Sequence, residues 1–259
     1  MIVARTVAIT RPVSASIARC ELTHLEREPI DLDLAVVQHE AYETCLRRAG
    51  CELVRLPAEP DMPDAVFVED LAIVLDELAV VTRPGAASRR AEVPSVAEAL
   101  AHHRSVVTMP APATLDGGDV LRVGRTLYAG RTARTNGEGI SRLAEAVAAF
   151  GYRVVEVPVE GCLHLKSAVT LAADGLLLVQ PEWVSPAAFD PALERLEVDP
   201  SEPYAANVLR VKGTVIMPAA FPRTLERLES RGIRVTTVDV SELAKAEGAV
   251  TCCSLIVEA

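Results

Sequence analysis

The sequence predicts an α/β fold in which five similar units close into a ring. Three observations support this prediction: a strand–turn–strand pattern recurs along the chain, a helical segment separates most successive copies, and the last copy reaches the C-terminus without its second strand. An apolar segment that can supply that strand lies at the other end of the chain, at 7–12. A repeat whose last unit is completed by the first strand forms a closed ring.

The copies share an apolar strand that follows a short polar stretch, and they begin at 67–74, 115–123, 164–169, 204–211 and 251–257. Val-Leu-Arg-Val occurs in two of them, at 120–123 and 208–211. In four copies a turn leads to a second apolar run, at 78–83, 127–131, 176–181 and 214–218. In the third copy, alternation predicts a strand that starts at His164, with His164 and Lys166 on one face.

Apolar residues at helical spacing predict a helix in each gap between these hairpins, at 35–50, 88–103, 135–151, 186–196 and 222–232. Three of these segments end on a glycine, which is a common helix C-cap. A further short strand is expected at 52–56, 105–109, 153–158 and 234–238. The segment 14–34 is polar, charged and without a clear period, so we interpret it as a loop that covers a site as a lid.

Composition indicates one compact catalytic domain over 1–259, because no linker or composition break divides the chain. Half of the residues are hydrophobic and 3% are aromatic, so the core is built mainly from Ala, Val and Leu. The net charge of −10 argues against nucleic acid or an anionic membrane as a partner and suits a cationic substrate. There is no signal-peptide layout and no apolar run near the roughly 18 residues of a membrane span. Six cysteines without framework spacing predict reduced thiols and a cytoplasmic location.

The ring brings one polar residue from each unit towards a common axis: Asp70, Asp116, His164, Asn207 and Cys252. A cysteine beside an apolar run is most often a small buried hydrophobe, and a lone histidine is most often a core residue. Together on one axis, Cys252 and His164 instead favour a Cys/His pair for nucleophilic catalysis. Metal binding by the adjacent Cys252 and Cys253 is disfavoured, because no Cys-x-x-Cys spacing accompanies them.

Acidic residues flank the apolar strands in two places, at 64–70 and 116–119. Carboxylates next to such strands are poorly placed unless a cation pairs with them. A planar guanidinium matches them, since its five donors form a fixed fork. Arg89 and Arg134 lie near the same rim, where they hold the carboxylate of an amino-acid substrate or are ordinary surface arginines.

Several motifs, in order along nearly the whole chain, closely resemble those of the dimethylarginine dimethylaminohydrolase family. These motifs lie at 66–70, 82–90, 114–120, 134–136, 163–167, 205–207 and 251–254. The family belongs to the pentein, or guanidino-modifying, group. The resemblance therefore implies a five-bladed, pseudo-symmetric α/β propeller whose last blade is closed by the N-terminal strand.

The resemblance also implies a role for each matching residue. Cys252 is the expected nucleophile and His164 the general acid and base. The residues implied in substrate binding are Leu22 in the lid, Asp64, Glu69, Asp70, Arg89, Asp116, Arg134 and Ala246. Of these, Asp70 and Asp116 are expected to hold the guanidinium, while Arg89 and Arg134 hold the substrate carboxylate. Cys253 is given no catalytic role, since neighbours on a strand point to opposite faces.

The implied activity is hydrolysis of Nω-methylated arginines to citrulline and a methylamine through a covalent thiouronium on cysteine. It needs no metal or organic cofactor, and its partner is a small molecule; the protein is expected to be a monomer or a homodimer. Two alternatives stay open at this stage. One is another guanidino-modifying activity, such as an arginine or agmatine deiminase or an amidinotransferase. The other is a non-catalytic propeller that serves as a binding module.

Overall fold

The computed structural model describes residues 5–258, and within that range fifteen strands form five three-stranded sheets. In each sheet the middle strand pairs antiparallel with one neighbour and parallel with the other. The strands are β1 Thr6–Thr10, β2 Cys51–Arg55, β3 Ala72–Val74, β4 Leu78–Val81, β5 Ser105–Thr108, β6 Val120–Val123, β7 Thr126–Arg131, β8 Arg153–Pro158, β9 Val169–Ala173, β10 Leu176–Val179, β11 Glu194–Glu197, β12 Leu209–Val211, β13 Thr214–Pro218, β14 Arg234–Val238 and β15 Leu255–Glu258. The five-bladed α/β propeller is thereby confirmed.

The two ends of the chain meet in one sheet, with the order β15-β1-β2. Strand β1 pairs antiparallel with β15, so that Thr6 lies opposite Glu258 and Ile9 opposite Leu255. It also pairs in parallel with β2. All five residues of β1 are buried, which is the pattern of a central strand. The predicted closure of the last blade by the first strand is therefore correct.

The α-helices lie mainly between the blades: α1 Leu32–Arg48, α2 Val93–Ala101, α3 Gly137–Ala148, α4 Leu165–Ala168, α5 Pro222–Ser230 and α6 Ser241–Ala244. Asp31 caps α1 by accepting the Leu34 N–H, and Asn136 caps α3 by accepting the Gly139 N–H. Gly151 follows α3 with a φ of 75°, a left-handed conformation that favours glycine. None of the helices within residues 5–258 is both long and apolar enough to cross a membrane.

The helix predicted at 186–196 is wrong. A 3-10 turn at Pro186–Ala188 is followed by β11, which pairs in parallel with β10. Pro191 disfavours a continuous helix through this segment. The Arg195 guanidinium instead donates to backbone carbonyls, those of Pro186, Phe189, Asp190 and Leu193, and holds the chain in a compact loop.

The polar residues of the repeat lie on a short turn before the inner strand, and this position corrects two predictions. Strand β9 begins at Val169, and His164 is the residue that precedes the helical turn α4. Equivalent turns are 3-10 helices at Val68–Leu71, Gly117–Asp119 and Pro203–Ala206. Cys252 and Cys253 likewise occupy a turn before β15 and do not lie on a strand. Turns allow polar side chains to leave the sheet and approach the axis of the ring.

The inner strands surround a central channel that these turns close on one side. Glu69, Lys166 and Thr251 line an open cavity of about 520 Å³. A second cavity is lined instead by a close chain neighbour of each: Asp70 next to Glu69, His164 two positions before Lys166, and Cys252 next to Thr251. The Lys166 ammonium lies 2.5 Å from the Glu69 carboxylate at this boundary. The apolar cores of the blades pack outside the channel, against the helices.

Candidate active site

The second cavity collects most of the predicted site residues in one place. It is lined by Glu21, Asp64, Phe67, Asp70, Arg89, Arg134, Leu163, His164, Ala246, Glu247, Gly248 and Cys252. The predicted Cys252 and His164 therefore share one space with carboxylates and guanidinium groups. Asp116 is fully buried directly behind His164, whereas Leu22, Glu69 and Asn207 are absent from this lining.

His164 lies between two carboxylates. Its Nε2 is 3.1 Å from Asp116 Oδ2, and its Nδ1 is 3.8 Å from Asp70 Oδ1. Backbone amides hold both acids, because Gly118 N–H donates to Asp70 Oδ1 and Gly85 N–H donates to Asp116 Oδ1. A Cβ at position 118 would lie 2.7 Å from His164 Nδ1 and 2.8 Å from Asp70 Oδ1. Glycine is therefore required at this point of close approach.

The charge around His164 favours its protonated form. Burial by itself lowers the pKa of His164, but the charges of Asp70, Asp119 and Asp116 outweigh burial and raise it to about 9. At neutral pH the imidazole thus carries a proton that it can donate. A buried imidazolium held against carboxylates has the properties of a general acid.

The Cys252 thiol also favours its protonated form, which for a thiol is the neutral one. Burial raises the pKa of Cys252 to about 12, and the charges of Glu69 and Asp70 act in the same direction. The Ala249 N–H, 3.4 Å from Sγ, is a donor that favours the thiolate. The resting site therefore holds a neutral thiol. A cation that enters between the carboxylates is expected to shift the balance towards thiolate.

The two predicted clamp arginines differ in their surroundings. Arg89 is buried and donates to the Asp70 carboxylate at 2.5 Å, to Glu92 at 2.9 Å and to the Phe67 carbonyl at 2.8 Å. This pairing holds Asp70 in place and offsets the charge of two buried acids. Arg134 is accessible, and its Nη2 lies 3.1 Å from Thr23 Oγ1 in the lid. Arg134 is thus the better placed of the two to contact a ligand carboxylate.

Glu69 lies outside the lining of this cavity, and its expected role in substrate binding stays a prediction. Its carboxylate accepts from Lys166 Nζ at 2.5 Å and from Thr251 Oγ1 at 2.8 Å, on the channel side. Successive residues of a 3-10 turn point in different directions, so Glu69 faces the channel while Asp70 faces the cavity. Asn207 also lies outside the cavity, where it braces the turn before Cys252 by accepting the Thr251 N–H.

Leu22 likewise does not place its side chain in the cavity lining, because it packs against the apolar cluster below the lid. Its neighbour Glu21 is the lid residue that reaches the cavity, and the Glu21 N–H donates to the Asp64 carboxylate at 3.2 Å. Burial raises the pKa of Asp64 to about 6, although Arg89 opposes this shift. Ala246 lines the cavity as predicted by the resemblance.

The sequence analysis missed the side-chain role of Glu247. This carboxylate accepts N–H groups from three successive lid residues: Thr23 at 3.0 Å, His24 at 2.5 Å and Leu25 at 2.7 Å. Its own backbone has a φ of 57°, an uncommon conformation for a residue with a side chain. The contacts join residues more than 220 positions apart, so no local pattern predicts them.

One ligand atom each from Asp70, Asp116 and His164 lies within 4.8 Å of the others, a spacing that also suits a metal ion. Arg89 and Gly118 already donate to Asp70, and Gly85 donates to Asp116, so both carboxylates act as hydrogen-bond acceptors with lone pairs left for further donors. The protonated state favoured for His164 opposes metal binding, since a ligating imidazole is neutral. The arrangement suits an organic cation that donates hydrogen bonds.

Comparison with known proteins gives consistent similarities. A family model described as N,N dimethylarginine dimethylhydrolase, eukaryotic, matches residues 17–189. The N(G),N(G)-dimethylarginine dimethylaminohydrolase of Streptomyces coelicolor is 42% identical over 96% of this chain and 95% of that protein. The protein of the same name from Pseudomonas aeruginosa is 36% identical over 87% of this chain and 89% of its own.

Solved structures are similar in fold and length. A cysteine-to-serine mutant of the Pseudomonas aeruginosa enzyme, complexed with citrulline, matches with a TM-score of 0.90 and 34% identity, over 96% of this chain and 98% of that one. A dimethylarginine dimethylaminohydrolase with a histidine-to-glycine change, solved as an adduct with S-methyl-L-thiocitrulline, matches with a TM-score of 0.91 and 35% identity, over 98% of this chain and 100% of that one.

The raised pKa of Cys252 predicts slow alkylation that accelerates with pH. A thiol pKa of about 12 leaves roughly one molecule in ten thousand as thiolate at pH 8. The rate of modification of Cys252 by iodoacetamide should therefore rise about tenfold per pH unit from pH 7 to 9. Cys252 and Cys253 fall on the same peptide, so the Cys253→Ser variant is used. Mass spectrometry of that peptide then assigns the label to Cys252. Asp70→Asn should react faster at any given pH, because a negative charge that opposes the thiolate is gone. A rate that reaches a plateau below pH 8 would contradict this assignment.

Proposed function

This chain belongs to the dimethylarginine dimethylaminohydrolase family, and from this premise we propose that it hydrolyses Nω-methylated arginines to citrulline and a methylamine. One observation carries the proposal: a cysteine and a protonated histidine share a buried cavity with carboxylates that suit a guanidinium. We also propose that a single domain performs this reaction, since its first and last strands close the same ring.

Substrate binding would begin with the guanidinium. Asp70 is buried on the cavity wall, and Asp116 is 0% exposed behind His164. A guanidinium in the cavity would donate hydrogen bonds to Asp70 in its own plane, while Asp116 attracts it through charge, and the attraction is strong because water is excluded. The same contacts would present the central guanidinium carbon to Cys252.

The first chemical step would be attack by sulfur. The positive charge of the bound substrate lowers the free energy of the Cys252 thiolate, which the empty site opposes. The thiolate forms a bond to the guanidinium carbon and gives a tetrahedral adduct. Collapse of the adduct breaks the bond from carbon to the methylated nitrogen. His164 donates its proton to that nitrogen, so that a neutral methylamine leaves and a thiouronium remains on Cys252.

Hydrolysis of the thiouronium would complete the cycle. His164, now neutral, removes a proton from a water molecule that attacks the same carbon. The carbon–sulfur bond then breaks, citrulline forms, and the Cys252 thiolate is regenerated. His164 keeps one proton taken from water, and the second leaves the new carbonyl oxygen for solvent as citrulline forms. The thiolate recovers from solvent the proton that it released when the substrate bound.

The amino-acid end of the substrate would lie towards the lid. Arg134 is the accessible guanidinium of the cavity and matches a carboxylate in charge and geometry. Without substrate it contacts Thr23, so binding of a carboxylate there would exchange one oxygen partner for another. Asp64 and the backbone near Ala246 line the same end.

We propose that the segment 14–34 acts as a lid that Glu247 holds closed. Three lid N–H groups converge on this one carboxylate, and the Glu21 side chain accepts a further bond from Ser88 Oγ at 2.6 Å. A closed lid excludes water from the guanidinium site, which strengthens its electrostatics. Release of these contacts would let substrate enter and citrulline leave.

The nucleophile assignment predicts different outcomes at two adjacent cysteines. Cys252→Ser should lose citrulline formation from asymmetric dimethylarginine by several orders of magnitude and still bind substrate. Cys253→Ser should keep most activity, because Cys253 is fully buried and its thiol lies 3.5 Å from the Ala249 carbonyl. Acid quench followed by mass spectrometry should place the covalent adduct on Cys252. Similar losses in both variants would contradict the assignment, and a wild type that forms no citrulline would contradict the function.

The carboxylate role of Arg134 predicts a substrate-dependent effect. A charged hydrogen bond contributes about 1.5–3 kcal/mol, so Arg134→Ala should lower kcat/KM for dimethylarginine and monomethylarginine by about 10- to 150-fold. Agmatine lacks the α-carboxylate, so it should be a poor substrate of the wild type and lose little activity in the variant. Steady-state kinetics on the three compounds provide the measurement. Efficient turnover of agmatine, or an equal loss on it, would indicate that Arg134 does not bind a carboxylate.

The lid proposal predicts a measurable loosening in Glu247→Gln. Removal of the charge weakens three N–H bonds, so KM should rise about tenfold. Trypsin should also cleave faster after Arg19 or Arg27 in the lid, a readout that does not depend on turnover. Glu229→Gln, at an exposed position on α5, is the matched control and should change neither quantity. Unchanged cleavage and KM in Glu247→Gln would rule out the latch.

A further inference from the structure

Asp119 is a buried carboxylate that the proposed chemistry does not use. Its side chain is 0% exposed and does not line the cavity. It ends the 3-10 turn Gly117–Asp119, just before β6. An ionised carboxylate in such a place is unfavourable unless donors compensate for the loss of water.

Three donors supply that compensation. Thr132 Oγ1 and Thr135 Oγ1 donate to Asp119 Oδ2 at 2.7 and 2.6 Å. The Leu165 N–H donates to Oδ1 at 3.0 Å. Gly130 makes room for this arrangement, because a Cβ there would lie 3.0 Å from Oδ1 and 2.8 Å from the Leu165 Cβ. The carboxylate thus ties the end of β7 to the turn α4 of the next blade.

Each of these donors leads onward to a residue of the cavity. Thr135 Oγ1 accepts the Asp116 N–H at 3.2 Å. Thr132 Oγ1 accepts the Arg134 N–H at 3.1 Å. Leu165 directly follows His164 in the chain. One buried carboxylate is therefore connected to the guanidinium site, to the imidazole and to the accessible arginine.

We propose that Asp119 is a positioning residue for this reaction, fixing His164, Asp116 and Arg134 relative to one another from behind the cavity. The proposal rests on the hydrolase function proposed above. Its physical basis is geometric, since a displacement of about 1 Å at a reacting group lowers the rate on the order of 100-fold. Asp119 touches neither the substrate nor Cys252 in this arrangement, so it acts through its neighbours.

Asp119 also contributes charge at His164. The groups that face the imidazole are the carboxylates of Asp70, Asp116 and Asp119, and the Arg89 guanidinium pairs with the first of them. The Cys162 thiol donates to the His164 carbonyl at 3.4 Å, and burial, followed by the charge of Asp119, raises the pKa of Cys162. Without the Asp119 charge, the pKa of His164 should fall below its value of about 9. Protonated His164 is the proton donor, so activity is lost as pH rises through the pKa of His164. Without the Asp119 charge, this loss should begin at a lower pH than in the wild type.

The test is Asp119→Asn, compared with Glu202→Gln. Glu202 is another buried acid that accepts backbone N–H groups, those of Arg223 and Thr224, but far from the cavity. In Asp119→Asn we expect kcat to fall on the order of 100-fold. The alkaline limb of its pH profile should move to lower pH, and an NMR titration of His164 should show the same shift. Glu202→Gln should lower only the stability of the protein. The pH dependence of its activity and the NMR titration of its His164 should not change.

Thr135→Val and Thr132→Val test the same network if Asp119→Asn does not fold. Each keeps the charge of Asp119 and removes one donor, so kcat should fall while the His164 titration does not move to lower pH. The proposal would be overturned by a wild-type kcat in the threonine variants that fold, or by an unchanged His164 titration in a folded Asp119→Asn, even if melting temperatures drop. The NMR titration needs no substrate, so failure of the hydrolase function would be seen separately, as absence of citrulline from the wild type.

Discussion

The electrostatic interaction between His164 and the carboxylates around it is the one on which the rest of the site depends. Asp70 and Asp116 lie 3.8 and 3.1 Å from the two imidazole nitrogens, and all three residues are buried. Buried like charges repel one another unless cations and N–H donors compensate. Arg89 supplies one cation and the imidazolium another, while backbone amides at Gly85 and Gly118 supply donors. Asp119 and Glu92 are two further buried acids beside these groups, so the acids outnumber the cations and the site attracts a further cation.

In the function proposed above, this charge arrangement links substrate binding to activation of Cys252. The acids proposed to attract a guanidinium oppose ionisation of Cys252 in the empty site. The thiol should therefore react slowly with oxidants and alkylating agents until a cation arrives. Selectivity for a cationic substrate then follows from the chemistry itself, because a neutral molecule in the cavity would not generate the thiolate.

The propeller explains why these groups meet. Each blade contributes a short turn before its inner strand, and the turns converge around the axis. Behind them, a second set of residues fixes the first: Arg89 holds Asp70, Asp119 holds the segment after His164, and Asn207 braces the turn before Cys252. Such supporting contacts limit side-chain motion, which proton transfer and nucleophilic attack both require.

The sequence by itself determined the number of units and the closure of the ring, and it predicted the types of reacting group. Repeat spacing and apolar alternation are local properties of a chain, and the motifs around Cys252 and His164 are short. Only the tertiary structure decided that Glu69 faces the channel while Asp70 faces the cavity, and that Arg89 is committed to an ion pair. The tertiary structure alone joins Glu247 to Thr23 in the lid, 224 positions away in the chain. It alone joins Asp119 to Leu165, the residue after His164, 46 positions away. The direction of a side chain on a short turn, and its partner in a distant blade, depend on packing that no local period contains.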